Sequence, residues 1–125
     1  MALEFRALKI LIVSPASLPN GNASSAARWA SELTALGHEI VVSSCWKGEE
    51  VDLLVALNAE KSHHVVAGCR ANVRTPVVVA LTGTDLYPEL SMTSLASLEM
   101  ADRIVVHQHK ALARLPEPYQ SLSLI

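Results

Sequence analysis

The feature that most constrains this chain is an apolar run that changes abruptly into a small polar loop. The run Pro76–Leu81 is too uniformly apolar to alternate between a buried and an exposed face, and Thr82–Tyr87 follows it around Gly83. Strands made continuously of Val, Ile and Leu are buried on both faces, as in a parallel sheet covered by helices. Ligands of such sheets bind at the carboxyl ends of the strands. The stretch therefore predicts both an architecture and the edge where a site would lie.

Length and composition predict a single folded domain. The chain has 125 residues, half of them hydrophobic and 18% charged, which is too apolar for a disordered segment. The formal net charge is −2 and no Lys/Arg cluster is present, so nucleic-acid binding is not expected. The longest apolar runs are of strand length, so no membrane association is expected. We interpret residues 1–7 as a disordered lead or cloning remnant and residues 8–125 as the domain.

The two cysteines and the N-terminus indicate the cellular compartment. Cys45 and Cys69 lie far apart without Cys-x-x-Cys spacing, and the N-terminus lacks the pattern of a secretory signal. The thiols are therefore expected to be reduced and structural, and the protein to be cytoplasmic.

Strands and helices alternate along the sequence. Apolar periodicity predicts a helix that Asn22 caps and that runs to about Leu36, with Gly37 as a left-handed C-cap. The other expected helices are Lys61–Ala71, Met92–Met100 and a segment from Lys110 to Pro116. The expected strands are Leu8–Ser14, Glu39–Ser44, Asp52–Leu57, Pro76–Leu81 and Arg103–Gln108, with Gln120–Ile125 as a further strand or an exit segment. The pattern predicts an α/β, Rossmann-like doubly wound sheet of five to six mainly parallel strands with helices on both faces.

One connection is unusually short. Only the seven residues Cys45–Val51 join the second and third strands, whereas a parallel crossover normally takes a dozen or more. An antiparallel hairpin would explain this length. An extended crossover would also fit, because seven residues reach about 23–25 Å. We predict the crossover and hence the strand order 2-1-3-4-5, with the switch point between the first and third strands.

The loop after the first strand contains Asn20-Gly21-Asn22 immediately before a helix, where backbone amides and the helix dipole favour a phosphate. It lacks the G-x-G-x-x-G pattern, and the second strand ends in Ser43-Ser44-Cys45 without the acidic residue that would bind a ribose. A nicotinamide or flavin cofactor is therefore not expected, and no cofactor is assigned.

Several motifs together resemble a known family. Leu36-Gly-His-Glu39, Asp52–Leu57 and Val77–Tyr87 with Ala101-Asp102 before a strand resemble the N-terminal half of GT-B glycosyltransferases, and most closely their selenosugar synthase (SenB) branch. The resemblance implies an acceptor-side domain that acts on a UDP-sugar and a small anionic acceptor. A second domain would hold most of the nucleotide-sugar contacts. The fragment lacks that domain, so we expect it to be inactive alone.

The loops at the strand ends, together with the resemblance, give the candidate site residues. Asp85 is the candidate catalytic residue, and the candidates for substrate binding are Asn20, Gly21, Asn22, Arg28, Asn58, Lys61, Thr82, Gly83, Thr84 and Tyr87. The sequence departs from the branch at Asn58, where a His is usual, and near Ala23, where an Arg is usual. Losing an imidazole removes a proton shuttle, and losing an Arg removes a phosphate clamp.

Simpler structural roles are open for several of these residues. Asp85 could cap the turn that follows it, and Gly83 could only supply a positive φ. Lys61 could be a solvated residue at a helix start, and Arg28 could lie over the sheet edge. His107 and His109 would share one side of an extended strand, but no third ligand is identifiable and no metal is expected. His63 and His64 are expected at the surface.

A function of a different class is also open. The chain could be a stand-alone Rossmann-like binding or interaction module that pairs with itself or with a partner protein. In that case the surface that would meet a second domain is expected to be covered, most simply in a symmetric homodimer.

Overall fold

The computed structural model describes residues 6–15, 21–72, 75–82, 89–106 and 109–124. Its centre is a six-stranded, wholly parallel sheet with the order β2-β1-β3-β4-β5-β6. The strands are β1 Lys9–Val13, β2 Glu39–Ser43, β3 Leu53–Leu57, β4 Val77–Ala80, β5 Arg103–Val105 and β6 Ser123–Leu124. The helices are α1 Gly21–Ala35, α2 His63–Asn72, α3 Met92–Met100, α4 His109–Ala113 and α5 Glu117–Gln120. The predicted Rossmann-like α/β class is confirmed.

The short connection between β2 and β3 is a crossover, as predicted. Both strands pair in parallel with β1, which lies between them. The chain crosses from one side of β1 to the other without a helix, and Trp46 and Val51 of this segment pack against the core. The order 2-1-3-4-5 is thus confirmed, and β6 extends it by one strand.

The central strands carry the core on both of their faces. On one face Leu11, Val13 and Leu54 pack with Val66 of α2 and Leu98 of α3. On the other face Ala26 and the partly buried Trp29 of α1 pack with the apolar residues Ile10, Ile12, Val55 and Leu57 of β1 and β3. Because both faces are covered, neither strand alternates with polar residues, and this is why the sequence shows uninterrupted apolar runs. None of the described helices is long and apolar enough to cross a membrane.

Several predicted boundaries shift in the structure. The helix α1 begins at Gly21, so Asn22 lies inside the first turn and is not the N-cap. The strand β5 ends at Val105, although the amide of Val106 still donates to the carbonyl of Leu124. His109 begins α4, so the prediction that His107 and His109 share an extended strand is wrong for His109. His107 lies outside the described residues.

The helix ends are determined by backbone conformation and by turns. Gly37 has a φ of 98°, which confirms the predicted left-handed C-cap of α1. The helix α2 begins at His63 and not at Lys61, because Asn58–Ser62 form a separate turn before it. The predicted helical segment from Lys110 to Pro116 corresponds to α4, which already ends at Ala113, and Pro116 is the N-cap of the further short helix α5.

An ion pair joins elements at the amino end of the sheet. The guanidinium of Arg70 in α2 donates to a carboxylate oxygen of Asp102 at 2.5 Å and to the carbonyl of Met100 at 2.7 Å. The same carboxylate oxygen accepts the amide of Val77 at 2.8 Å. Partial burial opposes ionisation of Asp102, but these hydrogen bonds outweigh it and lower the pKa of the carboxyl group. The ion pair of Arg70 and Asp102 therefore connects α2 with the end of α3 and with β4.

Candidate functional site

The candidate site is the carboxyl edge of the sheet. Because all strands are parallel, the segments that follow β1, β3 and β4 leave the sheet at this one edge. The chain runs from β1 to β2 in one direction and from β3 to β4 in the other, so the switch point lies between β1 and β3. In open α/β sheets a crevice forms at this point and receives the ligand.

Asn58 organises the segment that follows β3. It is fully buried and adopts a φ of 71°, which is uncommon for a residue other than glycine. Its side-chain oxygen accepts the amides of Glu60 at 3.1 Å and Lys61 at 2.9 Å, and its side-chain nitrogen donates to the Thr82 hydroxyl at 3.1 Å. The side chain therefore holds the turn before α2 and connects it to the end of β4.

A second group of buried polar side chains lies directly behind Asn58. The Ser97 hydroxyl, from α3, donates to the carbonyl of Ala59 at 2.5 Å. His63 Nδ1 lies 2.8 Å from the same hydroxyl oxygen. Because the hydroxyl already donates its hydrogen to the carbonyl, Nδ1–H is the donor in this contact. His63 is half-buried, which corrects its expected place at the surface, whereas His64 is exposed.

Ser14 lies at the carboxyl end of β1, at the switch point. Its amide donates to the carbonyl of Ser43 at 2.8 Å, so it continues the ladder beyond the strand. Alternation along β1 places its side chain on the same face as Ile10 and Ile12, which is the face that α1 covers. Ser14 is only 9% exposed, and within the described part of the chain its hydroxyl oxygen has no hydrogen-bond partner. A buried polar group without a partner is energetically unfavourable, so this hydroxyl is a candidate contact for a ligand atom.

The structure brings some of the predicted residues to this edge. Gly21 is the first residue of α1, Asn58 and Thr82 are hydrogen-bonded, and Lys61 contributes its amide while its side chain is exposed. Arg28 is exposed and lies seven residues along α1 from Gly21, which corresponds to about 10 Å along the helix axis. The backbone of Asn22 is in the first turn of α1. Asn20, Gly83, Thr84, Asp85 and Tyr87 lie outside the described residues.

Sequence reasoning missed the buried hydroxyl groups of this region. Ser14, Ser62 and Ser97 are all at most 9% exposed. The Ser62 hydroxyl donates to the carbonyl of Leu57 at 2.5 Å, so it contributes to the same turn as Asn58. One signal was present in the sequence, because Ser14 directly follows the apolar run of β1.

A cleft of about 480 Å³ lies at the opposite, amino edge of the sheet. Lys9, Glu50, Val51, Asp52 and Thr75 line it. The Asp52 carboxylate already accepts the amide of Lys9 at 2.8 Å and lies 3.8 Å from the guanidinium of Arg6. These contacts connect the chain before β1 to the chain before β3, so we assign Asp52 a structural role.

The described residues of the carboxyl edge include groups that favour an anion. It offers the start of a fifteen-residue helix, the hydroxyl of Ser14 and the exposed ammonium group of Lys61. A helix start and a cation both favour a phosphate. No protein-family model matches the chain, and comparison with curated proteins gave no significant match. The assignment of a function therefore depends on this geometry and on the resemblance noted above.

Proposed function

We propose that this chain is the acceptor-side half of a GT-B-type glycosyltransferase of the selenosugar synthase kind, acting on a UDP-sugar. The observation that carries the proposal is the buried hydroxyl of Ser14, which has no partner among the described residues and lies at the end of β1 on the face that α1 covers. A phosphoryl oxygen at the switch point would accept a hydrogen bond from the Ser14 hydroxyl and lie at the positive end of the helix dipole.

The remaining geometry is consistent with this reading. Asn58 and Thr82, both candidates for substrate binding, are joined by a hydrogen bond at the same edge. The Asn58 side chain also accepts two amides of the turn before α2. Hydrogen bonds therefore join the segments after β3 and β4 into one preorganised wall. The exposed side chain of Lys61 would contribute positive charge beside this wall.

In the proposed reaction the selenium of selenophosphate attacks the anomeric carbon of the UDP-sugar. A selenium–carbon bond forms as the bond from that carbon to the UDP oxygen breaks, and UDP leaves with the bonding electron pair. This half of the enzyme would position the anionic reactants, and closure of a second domain would exclude water. We therefore expect no measurable turnover from this chain alone, and a robust rate from the purified chain would contradict the proposal.

The test is an amide NMR titration of the chain with UDP-N-acetylglucosamine, UDP and selenophosphate in turn. We expect shifts at Ser14, Gly21, Lys61 and Thr82, with smaller changes elsewhere. Absence of shifts at millimolar concentrations of all three compounds would refute the proposed site.

The variant Ser14→Ala separates a binding role from a structural one. Loss of one hydrogen bond to the ligand should weaken binding about fivefold, because such a bond contributes about 1 kcal/mol. Removal of an unpartnered buried hydroxyl should leave stability unchanged or raise it. Ser121→Ala is the matched control, because Ser121 is exposed and lies at the far edge of the sheet. Equal affinities of the two variants would exclude Ser14 from the site.

A second candidate function is a stand-alone interaction module. The observation that favours it is the apolar outer edge of β2, where Val41 and Val42 are 43% and 46% exposed.

A further inference from the structure

The strand β2 is an outer strand of the sheet and has an open edge. Within the described part of the chain, it pairs with β1 and with no other strand. The carbonyl of Ser43 accepts the amide of Ser14, and the amide of Glu39 donates to the carbonyl of Leu8. Backbone groups alternate in direction along a strand, so Glu39, Val41 and Ser43 are directed towards β1. Ile40 and Val42 therefore direct their N–H and C=O groups away from the sheet.

Among the described residues, the outer edge of β2 is apolar, and α1, which packs against this strand, leaves its two valines partly exposed. Val41 and Val42 are consecutive, so they lie on opposite faces of the sheet, and both are more than 40% exposed. No charged residue or proline interrupts Ile40–Val42. Natural proteins usually protect such edges with charges, prolines or bulges, because an open edge pairs with other strands. The stretch Ile40–Val42 lacks such protection, so this edge is a candidate for pairing with another strand.

We propose that β2 pairs with β2 of a second copy of this chain, antiparallel across a two-fold axis, to form a continuous twelve-stranded sheet. In this register Val41 faces the partner's Val41 on the axis, and Ile40 faces the partner's Val42. The outward N–H and C=O groups of Ile40 and Val42 then exchange hydrogen bonds with those of the partner. All five residues of Glu39–Ser43 are paired.

The position of charge on β2 favours a second copy in this orientation. Glu39 is the only charged residue of the strand and lies at its start. In the antiparallel register it faces the partner's Ser43, and the two glutamates are about 14 Å apart, four residues of strand. A parallel arrangement would place like charges side by side, which is destabilising. The β-branched residues Ile40–Val42 meet one another in the antiparallel pair, and such pairs stabilise sheets.

The axial position of Val41 allows a test by charge exchange. In an antiparallel pair that places residue 41 opposite itself, Val41→Lys brings two lysines together and Val41→Glu brings two glutamates together. Each variant alone should dimerise at least about tenfold more weakly than the wild type. An equimolar mixture of the two should recover the association, because a lysine then faces a glutamate. Both substitutions are at an exposed side chain, so the monomer is expected to fold.

The measurement is sedimentation equilibrium of the full chain between about 10 and 500 µM, the range for weak association. Val42→Pro is the second variant, because it removes an outward N–H and leaves the bonds to β1 intact. It should abolish dimerisation. Val42→Thr keeps the N–H and the shape, and Met92→Lys removes an exposed apolar side chain elsewhere, so both should remain dimeric.

Each result decides the proposal. Dimerisation of the wild type, weakened in each Val41 variant and recovered in their mixture, would establish the pairing and its register. A wild type that is monomeric at the highest concentration would overturn it. A dimer that the Val41 and Val42→Pro substitutions do not affect would also overturn it, because another surface would then form the interface.

Discussion

Asn58 offers the most demanding test of how this chain builds its carboxyl edge. The side chain accepts two amides of the turn before α2 and donates to Thr82, all in a fully buried position. Substitution by Ala removes these bonds, which resemble a helix cap and a buried hydrogen bond and together contribute about 2 kcal/mol. An alanine at a φ of 71° adds a backbone cost of about 1 kcal/mol.

The expected result is that Asn58→Ala lowers the free energy of unfolding by about 3 kcal/mol. Asn58→Gly removes the same side chain but accepts the left-handed backbone, so it should lower that free energy by about 2 kcal/mol. Urea unfolding followed by circular dichroism measures both values. The difference between the two variants isolates the backbone contribution from the hydrogen bonds. If Ala and Gly are equally destabilising, or if Ala changes stability by less than about 1 kcal/mol, the structural role argued for Asn58 is wrong.

Three further predictions concern other parts of the fold. Asp102 has a lowered pKa, so its contribution to stability is complete above its usual value of 3.8 and is lost as the pH falls through the folded value. Urea unfolding of Asp102→Asn should therefore vary less than the wild type between about pH 5 and pH 2; equal slopes would contradict this. Burial raises the pKa of the Cys69 thiol, although the charge of Arg70 opposes it. A thiol reagent should label only Cys45 in the native protein and both cysteines in urea, and rapid native labelling of Cys69 would disprove its burial. Gly37→Ala should lower the free energy of unfolding by about 1 kcal/mol, because Gly37 has a φ of 98°; an unchanged urea midpoint would count against the strain.

The strand order could be predicted because it follows from chain length and hydrophobic pattern. The segment Cys45–Val51 is too short for a helix but long enough to cross beneath β1, and the structure contains that crossover. The run at β4 predicted burial on both faces: Val77 and Val79 are fully buried on one face, and on the other Ala80 is fully buried and Val78 partly buried. Helix ends were predicted less well. Asn22 has the chemistry of an N-cap, but the helix begins at Gly21 before it.

The polar contacts of the site could not be predicted from the sequence. Ser97 meets Ala59 and His63 only because α3 packs against α2, and no local pattern encodes a contact between residues so far apart in the chain. The burial of Asn58 likewise depends on the end of β4 and not on its neighbours in sequence. Sequence patterns report periodicity and turns, whereas these hydrogen bonds depend on tertiary packing.

The absence of a helix between β2 and β3 has a consequence for local opening. In most doubly wound sheets a helix after each strand anchors the outer strand to the core, but β2 is followed only by an extended segment. Its exposed Val41 and Val42 contribute little buried area, whereas Leu11 and Leu54 are fully buried. In the monomer, amide hydrogens of β2 should therefore exchange with solvent through fluctuations that detach this strand alone. Those of β1 and β3 should exchange only when the whole domain unfolds.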